Sequence, residues 1–385
     1  MTGRRVAARL PSIDLLRAAA IVLMTLVHFV ENLAGSIDIH DGPFIGANRY
    51  WWMPTGFAAP LFTFLSGVSY RLWADAAAAR GRDSEEVSKI TVRRGLFLIL
   101  FGFAFNVLVW MPEDVFNWDV LTLIGTAMLA LDIARRTAPA VGLVACGLLV
   151  GLAPILRAVA DYRAFWTAGF YDYDFTLGDV LLGYLATGYF PVFPWLALPL
   201  AGFLAAPLIY GHDGGETNRG SKASWRESPL VIGSLLVAVT GIVMAGRPFV
   251  PARLITHDRL WAMFPPTTAY VLGTIGGGIL LAALLHGTLD GRPSGRGPLL
   301  RIAGAMSRHS LTLYVLHHVA HVWPLWIAGL VTTGDPDGLW QVATPVSTAV
   351  VWSAAFLFFA AWLSERLDRP GTPSAESLLR WLCDP

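Results

Sequence analysis

Charged side chains are scarce in this chain of 385 residues. Asp, Glu, Lys and Arg make up only 14% of the sequence, hydrophobic residues make up 55%, and the mean hydropathy is +0.55. A composition this apolar argues against an ordinary soluble protein and is typical of an integral membrane protein. The few charges nearly cancel, to a formal net charge of +1. The charge balance therefore indicates no nucleic-acid partner.

Cysteine is almost absent as well. The two cysteines, Cys146 and Cys383, exclude a disulfide framework and a cysteine-based metal site. The sequence also lacks a His-Glu-x-x-His motif, a Walker loop and a serine elbow, which argues against the common hydrolase classes. The basic stretch 1–9 precedes an apolar run that is too long for a cleaved signal, so we expect a retained first helix.

Long apolar segments are what the chain has instead. A spanning helix needs about 20 residues, and segments near that length lie at 13–33, 52–73, 94–111, 118–134, 137–158, 191–211, 229–247, 265–287, 309–330 and 342–364. The stretch 176–190 contains Asp179 and several glycines, which favours a re-entrant or interfacial element over an eleventh span. We predict an all-α polytopic membrane protein with ten helices, or eleven if 176–190 also spans. Residues 1–385 are predicted to form a single domain.

The basic residues give an orientation. With the N-terminus inside, 21 of the 28 Lys and Arg residues fall on inner ends and loops. The positive-inside rule therefore predicts that both termini are cytoplasmic. His28 then lies in the outer half of the bilayer.

The first segment carries ionisable residues that are costly inside a membrane. Arg17 and His28 are eleven residues apart, which places them on one helical face, roughly 16 Å from each other. Asp14 precedes Arg17 by three residues, a spacing that predicts an intrahelical ion pair. Each residue alone is equally well explained as an interfacial anchor. The aligned pair favours a functional polar path.

Several motifs occur in an order that resembles known membrane acyltransferases. Asp14-Leu-Leu-Arg17 with His28, Ala59 to Ser66-Gly67, and Arg93-Arg94-Gly95 at the start of a third helix resemble membrane-bound acyltransferases in general. Four later motifs resemble the bacterial relatives of heparan-alpha-glucosaminide N-acetyltransferase: Trp118-Asp119 to Gly125, Phe190 to Pro194-Trp195, Phe264-Pro-Pro to Tyr270, and Ser310-Leu-x-x-Tyr314-x-x-His317. Together the motifs cover roughly residues 9–320.

The resemblance implies a fold, a reaction and a location. Such proteins move an acetyl group from cytoplasmic acetyl-CoA to an acceptor on the opposite face of the membrane. The implied partners are acyl-CoA, membrane lipid and an outer carbohydrate or glycolipid acceptor, and the implied location is a bacterial inner membrane. Whether the protein forms a homodimer is left open.

The resemblance also implies site residues. His40 matches the catalytic histidine of the eukaryotic enzyme with an offset of one residue. His28 matches the histidine of acyltransferase family three, where the eukaryotic enzyme has asparagine. We predict these two as catalytic residues and assign donor binding to Arg17, Arg93, Arg94 and Ser66. The predicted cavity residues are Asp14, Glu31, Asn32, Asp119, Trp195, Tyr314 and His317.

The chemistry fits these residue types. Histidine is a suitable general base near neutral pH, and arginine suits bidentate phosphate recognition. Positive-inside bias explains Arg93 and Arg94 equally well. His317, His318 and His321 have metal-ligand spacing, but no Cys, Asp or Glu shares their helix. We therefore expect no metal site and interpret His317 as a cavity wall.

Two further alternatives remain open from the residues alone. The outer loop 161–174 mixes aromatic side chains with carboxylates, which suits either a sugar-binding surface or an interfacial aromatic belt. The polar residues of the first helix also suit a transporter or lipid-handling permease.

Overall fold

The computed structural model describes residues 9–34, 56–167, 170–211, 228–254, 260–290 and 297–384. The α-helices are α1 (Pro11–Ala34), α2 (Ala58–Ala79), α3 (Ser84–Val109), α4 (Val120–Ala134), α5 (Pro139–Val159), α6 (Leu177–Leu182), α7 (Val192–Trp195), α8 (Ala197–Tyr210), α9 (Pro229–Gly246), α10 (Thr268–Leu285), α11 (Pro298–Arg308), α12 (Ser310–Thr333), α13 (Val346–Leu367) and α14 (Ala375–Cys383). Short 3₁₀ segments lie at Pro112–Phe116, Tyr162–Phe165, Arg247–Phe249, Ala252–Leu254 and Pro336–Leu339. Two strands, β1 (Trp166–Thr167) and β2 (Phe170–Tyr171), form an antiparallel pair.

The helices make this an integral membrane protein. In the described part of the chain, nine helical stretches are long and apolar enough to cross a bilayer. Large apolar side chains such as Leu100, Ile242 and Phe358 are exposed on outward faces, as lipid contact requires. These observations confirm the predicted all-α polytopic class.

The predicted second span is helical but shifted along the chain. It was expected at 52–73, whereas α2 occupies Ala58–Ala79 and is not among the nine apolar stretches of the described residues. Its C-terminal half contains Arg71 and Asp75, which pair with each other at 2.8 Å. A count of ten spans, with α2 as the tenth, stays a prediction.

The third helix begins ten residues earlier than its apolar run. Asp83 caps α3 by accepting a hydrogen bond from the backbone N–H of Glu86 at 2.6 Å. Arg93 and Arg94 therefore lie well inside the helix, and the expectation that they open it is wrong. Hydropathy missed the polar first turns because charged residues with good helix propensity continue the same helix.

The stretch 176–190 forms α6 followed by a π-helical turn at Gly183–Thr187. Its eleven helical residues rise roughly 16 Å, about half of a bilayer core, so they are too short to span alone.

Helices α2 and α8 cross in very close contact. A Cβ atom on Gly67 would lie 1.8 Å from the backbone oxygen of Pro199, and one on Gly202 would lie 2.0 Å from that of Phe64. Each glycine is thus required by the backbone of the facing helix, as in small-residue packing between membrane helices. This contact explains Gly67 in the second-helix motif.

Helix α1 packs against α2, α11, α12 and α13. Its first turn is anchored because the Ser12 backbone N–H donates to Asp290 at 2.8 Å and the Ser12 hydroxyl donates to the same carboxylate at 2.5 Å. Further along, Arg17 contacts Ser307 and His28 contacts His317. Each side of this contact advances by ten or eleven residues between the two contacts, so α1 runs in the same direction as the end of α11 and the start of α12.

The orientation yields a first testable prediction. A topology reporter fused after Gly334, the residue that ends α12, should report the outer side, because an odd number of predicted spans precedes it. Reporters after Gly214 and Pro385, which lie outside the described residues, should report the cytoplasm. An external signal from the C-terminal fusion would refute the ten-span arrangement.

Candidate active site

A cluster of four histidines lies where α1 meets α12. His28 comes from α1, and His317, His318 and His321 come from α12. The rings of His28 and His317 stack with centroids 5.2 Å apart, and His318 lies 4.7 Å from His28. The three α12 rings are at most 3% exposed.

The hydrogen bonds assign the tautomers of the central pair. His317 Nδ1 lies 3.2 Å from the backbone oxygen of Leu313, which can only accept, so Nδ1 carries the proton. His317 Nε2 is then an acceptor, and His28 Nδ1 donates to it across 2.9 Å. In the neutral His28 ring, Nε2 is left as the basic nitrogen. The pair therefore presents an oriented base, as in catalytic dyads whose second member fixes the tautomer.

His321 extends the network towards Asn32. Its Nδ1 donates to the backbone oxygen of His317 at 2.5 Å, and its Nε2 accepts from the Asn32 side-chain amide at 2.7 Å. The structure therefore brings Asn32 to the cluster, and its role as a cavity residue stays a prediction.

Asp119 and Tyr314 are also brought together. Asp119 caps α4 through Oδ1, which accepts from the backbone N–H groups of Leu121 and Thr122 at 3.1 Å each. Its Oδ2 accepts from the Tyr314 hydroxyl at 3.1 Å. Because the Tyr314 ring lies 5.5 Å from that of His317, this contact supports one wall of the histidine cluster.

A cavity of about 1240 Å³ lies at the other end of α1, where its first turns begin. Its walls come from the start of α1, the junction of α11 and α12, the end of α13, and α14. The basic side chains that line it are Arg9, Arg17, Arg308, Arg369 and Arg380. Asp368 is the acidic residue among its described lining.

Arg17 lines this cavity from α1. It donates to Ser307 Oγ at 2.9 Å and to Ser69 Oγ at 2.5 Å. Asp14 pairs with Arg9 instead, at 2.7 Å, so the predicted Asp14–Arg17 ion pair is not the one that forms. Arg9 precedes the helix and folds back over its first turn, which leaves the Arg17 guanidinium directed at the serines.

Two polar contacts near the cavity tie α13 and α14 to the junction of α11 and α12. Arg308 forms a two-pronged ion pair with Asp368, and Glu376 accepts from the backbone N–H groups of Leu311 and Thr312 at 2.7 and 3.0 Å. Burial alone would raise the pKa of Asp368, but the hydrogen bond and charge of Arg308 outweigh burial and lower it. The Asp368 carboxylate therefore stays ionised, neutralising Arg308 on this wall.

The other predicted donor residues lie elsewhere. Arg94 forms a bidentate pair with Asp384 at 2.9 and 2.6 Å and stacks on Trp73, while Arg93 is exposed. Ser66 donates to the backbone oxygen of Thr63 at 2.6 Å. In the described structure, these three residues do not line the cavity with Arg17. Their role in donor binding stays a prediction.

The three remaining predicted residues lie in different surroundings. Trp195 is fully buried and packs on Phe190 with ring centroids 4.7 Å apart, so the structure places it in the core. Glu31 is half-buried on α1, one turn after His28. His40 lies outside the described residues, and its catalytic role stays a prediction.

Sequence reasoning missed part of this site. Ser69 and Ser307, which hold Arg17, and Arg308, which lines the cavity, were not singled out. Serines inside apolar helices carry no local signal of their partner. His318 and His321 were considered only with the residues of their own helix, so the contribution of His28 was not foreseen.

An aromatic cluster surrounds β1 and β2. Trp166 packs on Tyr189 and Phe264 with centroids 5.1 and 5.7 Å apart, and Tyr171 packs on Tyr173 at 5.3 Å. The hydroxyl of Tyr171 is buried without a hydrogen-bond partner among the described residues. Burial raises the pKa of this hydroxyl, so it stays protonated.

Comparison with known proteins identifies a family over the first part of the chain. Residues 9–239 match a family model described as "Heparan-alpha-glucosaminide N-acetyltransferase, catalytic". The matched region includes α1, with Arg17 and His28, and ends before α12. No curated protein matches the chain.

Proposed function

The chain belongs to the family of the heparan-alpha-glucosaminide N-acetyltransferase catalytic domain, a family of transmembrane acetyltransferases, and we propose that it transfers an acetyl group from cytoplasmic acetyl-CoA to an outer sugar or aminosugar. The observation that carries this proposal is the layout of α1. One face of this helix joins a basic inner cavity, at Arg17, to an oriented histidine base, at His28. We further propose that the protein works in a bacterial inner membrane.

The inner cavity suits the donor. Its volume of about 1240 Å³ and its lining arginines suit a large ligand with several phosphates, with Arg17, Arg369 and Arg380 as the candidates because Arg9 and Arg308 pair with carboxylates. Two of the five N–H groups of Arg17 donate to serines, and no further acceptor for this side chain is found in the described residues. The planar fork is therefore held in place and retains donors for a phosphate.

The chemistry would occur at the outer end of the path. His28 Nε2 takes the proton from the acceptor hydroxyl or amine as that oxygen or nitrogen attacks the thioester carbonyl. The C–S bond then breaks, the acetyl group stays on the acceptor, and the proton passes to the departing CoA thiolate. His317 keeps Nδ1 of His28 protonated throughout, because its own tautomer is fixed by Leu313. Polarisation of the carbonyl is assigned to His40.

The acceptor assignment rests on the outer aromatic cluster. Stacked Tyr and Trp rings with an unpartnered hydroxyl at Tyr171, among the described residues, suit a sugar ring with its hydroxyl groups. Asp172 and Asp174 in the same loop would favour an amine on that sugar.

Donor binding yields a second prediction. Arg17→Lys should weaken acetyl-CoA binding about tenfold, because lysine keeps the charge but not the fork that spans Ser69, Ser307 and a phosphate. Isothermal titration of detergent-purified protein measures this affinity. Arg82→Lys is the matched control, since Arg82 lies outside the cavity in a pair with Glu86. Equal affinities in both variants would remove Arg17 from the donor site.

The proposed activity itself is tested by thiol release from acetyl-CoA. Purified protein with glucosamine as the probe acceptor should release free CoA and form an acetylated sugar, both detected by mass spectrometry. A permease would take up substrate into proteoliposomes and leave the thioester intact. Uptake of intact acetyl-CoA, or of sugar without acetylation, would favour the transporter reading.

A further inference from the structure

The structure brings together three histidine ligands from two helices that are remote in sequence. One ring nitrogen from each of His28, His317 and His318 lies within 4.8 Å of the other two. Neutral imidazole is a good ligand for Zn²⁺, Co²⁺, Ni²⁺ and Cu²⁺ and a poor one for Mg²⁺ or Ca²⁺. The sequence analysis expected no metal site because no Cys, Asp or Glu shares α12, but α1 brings His28 to two of the α12 histidines.

The distances are close to those of a metal site. With metal–nitrogen bonds of about 2.0–2.1 Å, two ligands of a tetrahedral ion lie about 3.3 Å apart. His28 Nδ1 and His317 Nε2 are 2.9 Å apart, so they need to separate by only a few tenths of an ångström. The His318 nitrogen lies at most 4.8 Å from the other two nitrogens. It therefore needs to move towards them by no more than about 1.5 Å, which a side-chain rotation can supply.

The surroundings of two rings independently indicate a ligand. The Nδ1–H group of His317 donates a hydrogen bond to the backbone oxygen of Leu313. Metal-bound histidines usually make such a second contact with the ring nitrogen that does not bind the metal. His318 Nδ1 is buried on a ring that is 3% exposed and has no hydrogen-bond partner among the described residues. Buried polar atoms seldom lack a hydrogen-bond partner, and a bound ligand would explain why this nitrogen has none.

We propose that His28, His317 and His318 bind a divalent transition-metal ion, and that the bound ion blocks the base. When His28 Nδ1 coordinates the ion, its proton moves to Nε2 and the ring stays neutral. The nitrogen that would take the acceptor's proton is then occupied by hydrogen. The proposal that the ion blocks the His28 base rests on the proposed function, whereas the proposal that the histidines bind a metal does not. Glu31, one turn after His28, adds a negative charge on the same helix and so lowers the cost of a buried dication.

Cobalt titration tests the binding. The probe is Co²⁺ added to full-length, EDTA-stripped protein, followed by its visible d–d absorption. One strongly absorbing Co²⁺ per chain is expected, with Zn²⁺ competing for it. His318→Leu and, separately, His28→Ala should each weaken binding on the order of a hundredfold, because each removes one ligand. His286→Gln, a change outside the cluster, should bind as the parent protein does. Thermal melts establish that the variants are folded.

The outcomes separate the two halves of the proposal. Absence of Co²⁺ absorption in the parent protein, or equal affinity in folded His318→Leu, would overturn the metal site. Zn²⁺ at concentrations that fill the site should abolish acetyl transfer in the parent and in His286→Gln, and EDTA should restore it. Full transfer by zinc-loaded protein would overturn the blocking role. A protein that binds cobalt but transfers no acetyl group to any acceptor would refute the proposed function and leave the metal site standing.

Discussion

Replacing His28 with alanine should lower acetyl transfer by at least about a hundredfold while the protein stays folded and still binds acetyl-CoA. General bases typically contribute 10²- to 10⁴-fold to a rate. His28 Nε2 is the basic nitrogen of a ring whose other nitrogen is held by His317 at 2.9 Å. Because the inner cavity is lined around Arg17 and not around His28, donor affinity should be unchanged.

Transfer is measured as acetylated product per enzyme, beside acetyl-CoA affinity by titration. His286→Ala is the control, since His286 pairs with Asp290 at 2.8 Å near the start of α1, far along the helix from His28. His28→Asn should lose less than His28→Ala, because the resembling eukaryotic enzymes have asparagine here. Near-parental turnover in His28→Ala would remove this residue from the mechanism.

Replacing His317 with leucine should lower turnover about tenfold to a hundredfold, at an unchanged KM for acetyl-CoA. Leucine removes the acceptor that keeps the proton on His28 Nδ1, so the ring samples the tautomer with a protonated Nε2. His317 acts through His28 and is a positioning residue. The fall should appear in kcat, because the reacting groups and not the donor site are disturbed.

The conservative variant separates positioning from packing. His317→Gln offers an amide oxygen to His28 Nδ1 and should restore most of the turnover that His317→Leu loses. The lower limb of the pH–rate profile should also shift in His317→Leu, since the pKa of the base depends on this hydrogen bond. An equal loss in both variants with an unshifted profile would indicate that His317 only fills space.

The first helix shows how far the sequence could go. Its length, its polar stripe and the pairing of Arg17 with His28 on one face follow from a period of 3.6 residues. The structure adds that the Arg17 end of this stripe faces α2 and α11, and that its His28 end faces α12 through His317, 289 positions away in the sequence. Periodicity identifies a buried face but not the helix that covers it, so the partner could not be foreseen.

The contacts that build the inner cavity could not be predicted from the sequence. Its floor is α14, which follows the last apolar segment and is nine residues long. This helix is held by the Arg94–Asp384 ion pair and by its own Glu376, which accepts from the backbone N–H of Leu311 at the start of α12. A positive-inside count uses only Lys and Arg, so it ignores both carboxylates. Such a count predicts an orientation, yet it does not show that a tail carboxylate neutralises Arg94.

A cryo-EM map of the protein with a thioether analogue of acetyl-CoA tests the central claim most directly. The account predicts density for the diphosphate in the cavity of about 1240 Å³, within hydrogen-bonding distance of Arg17, and the acetyl end extending along α1 towards His28. An analogue bound at any other surface, or with its acetyl end directed away from the histidine cluster, would contradict it.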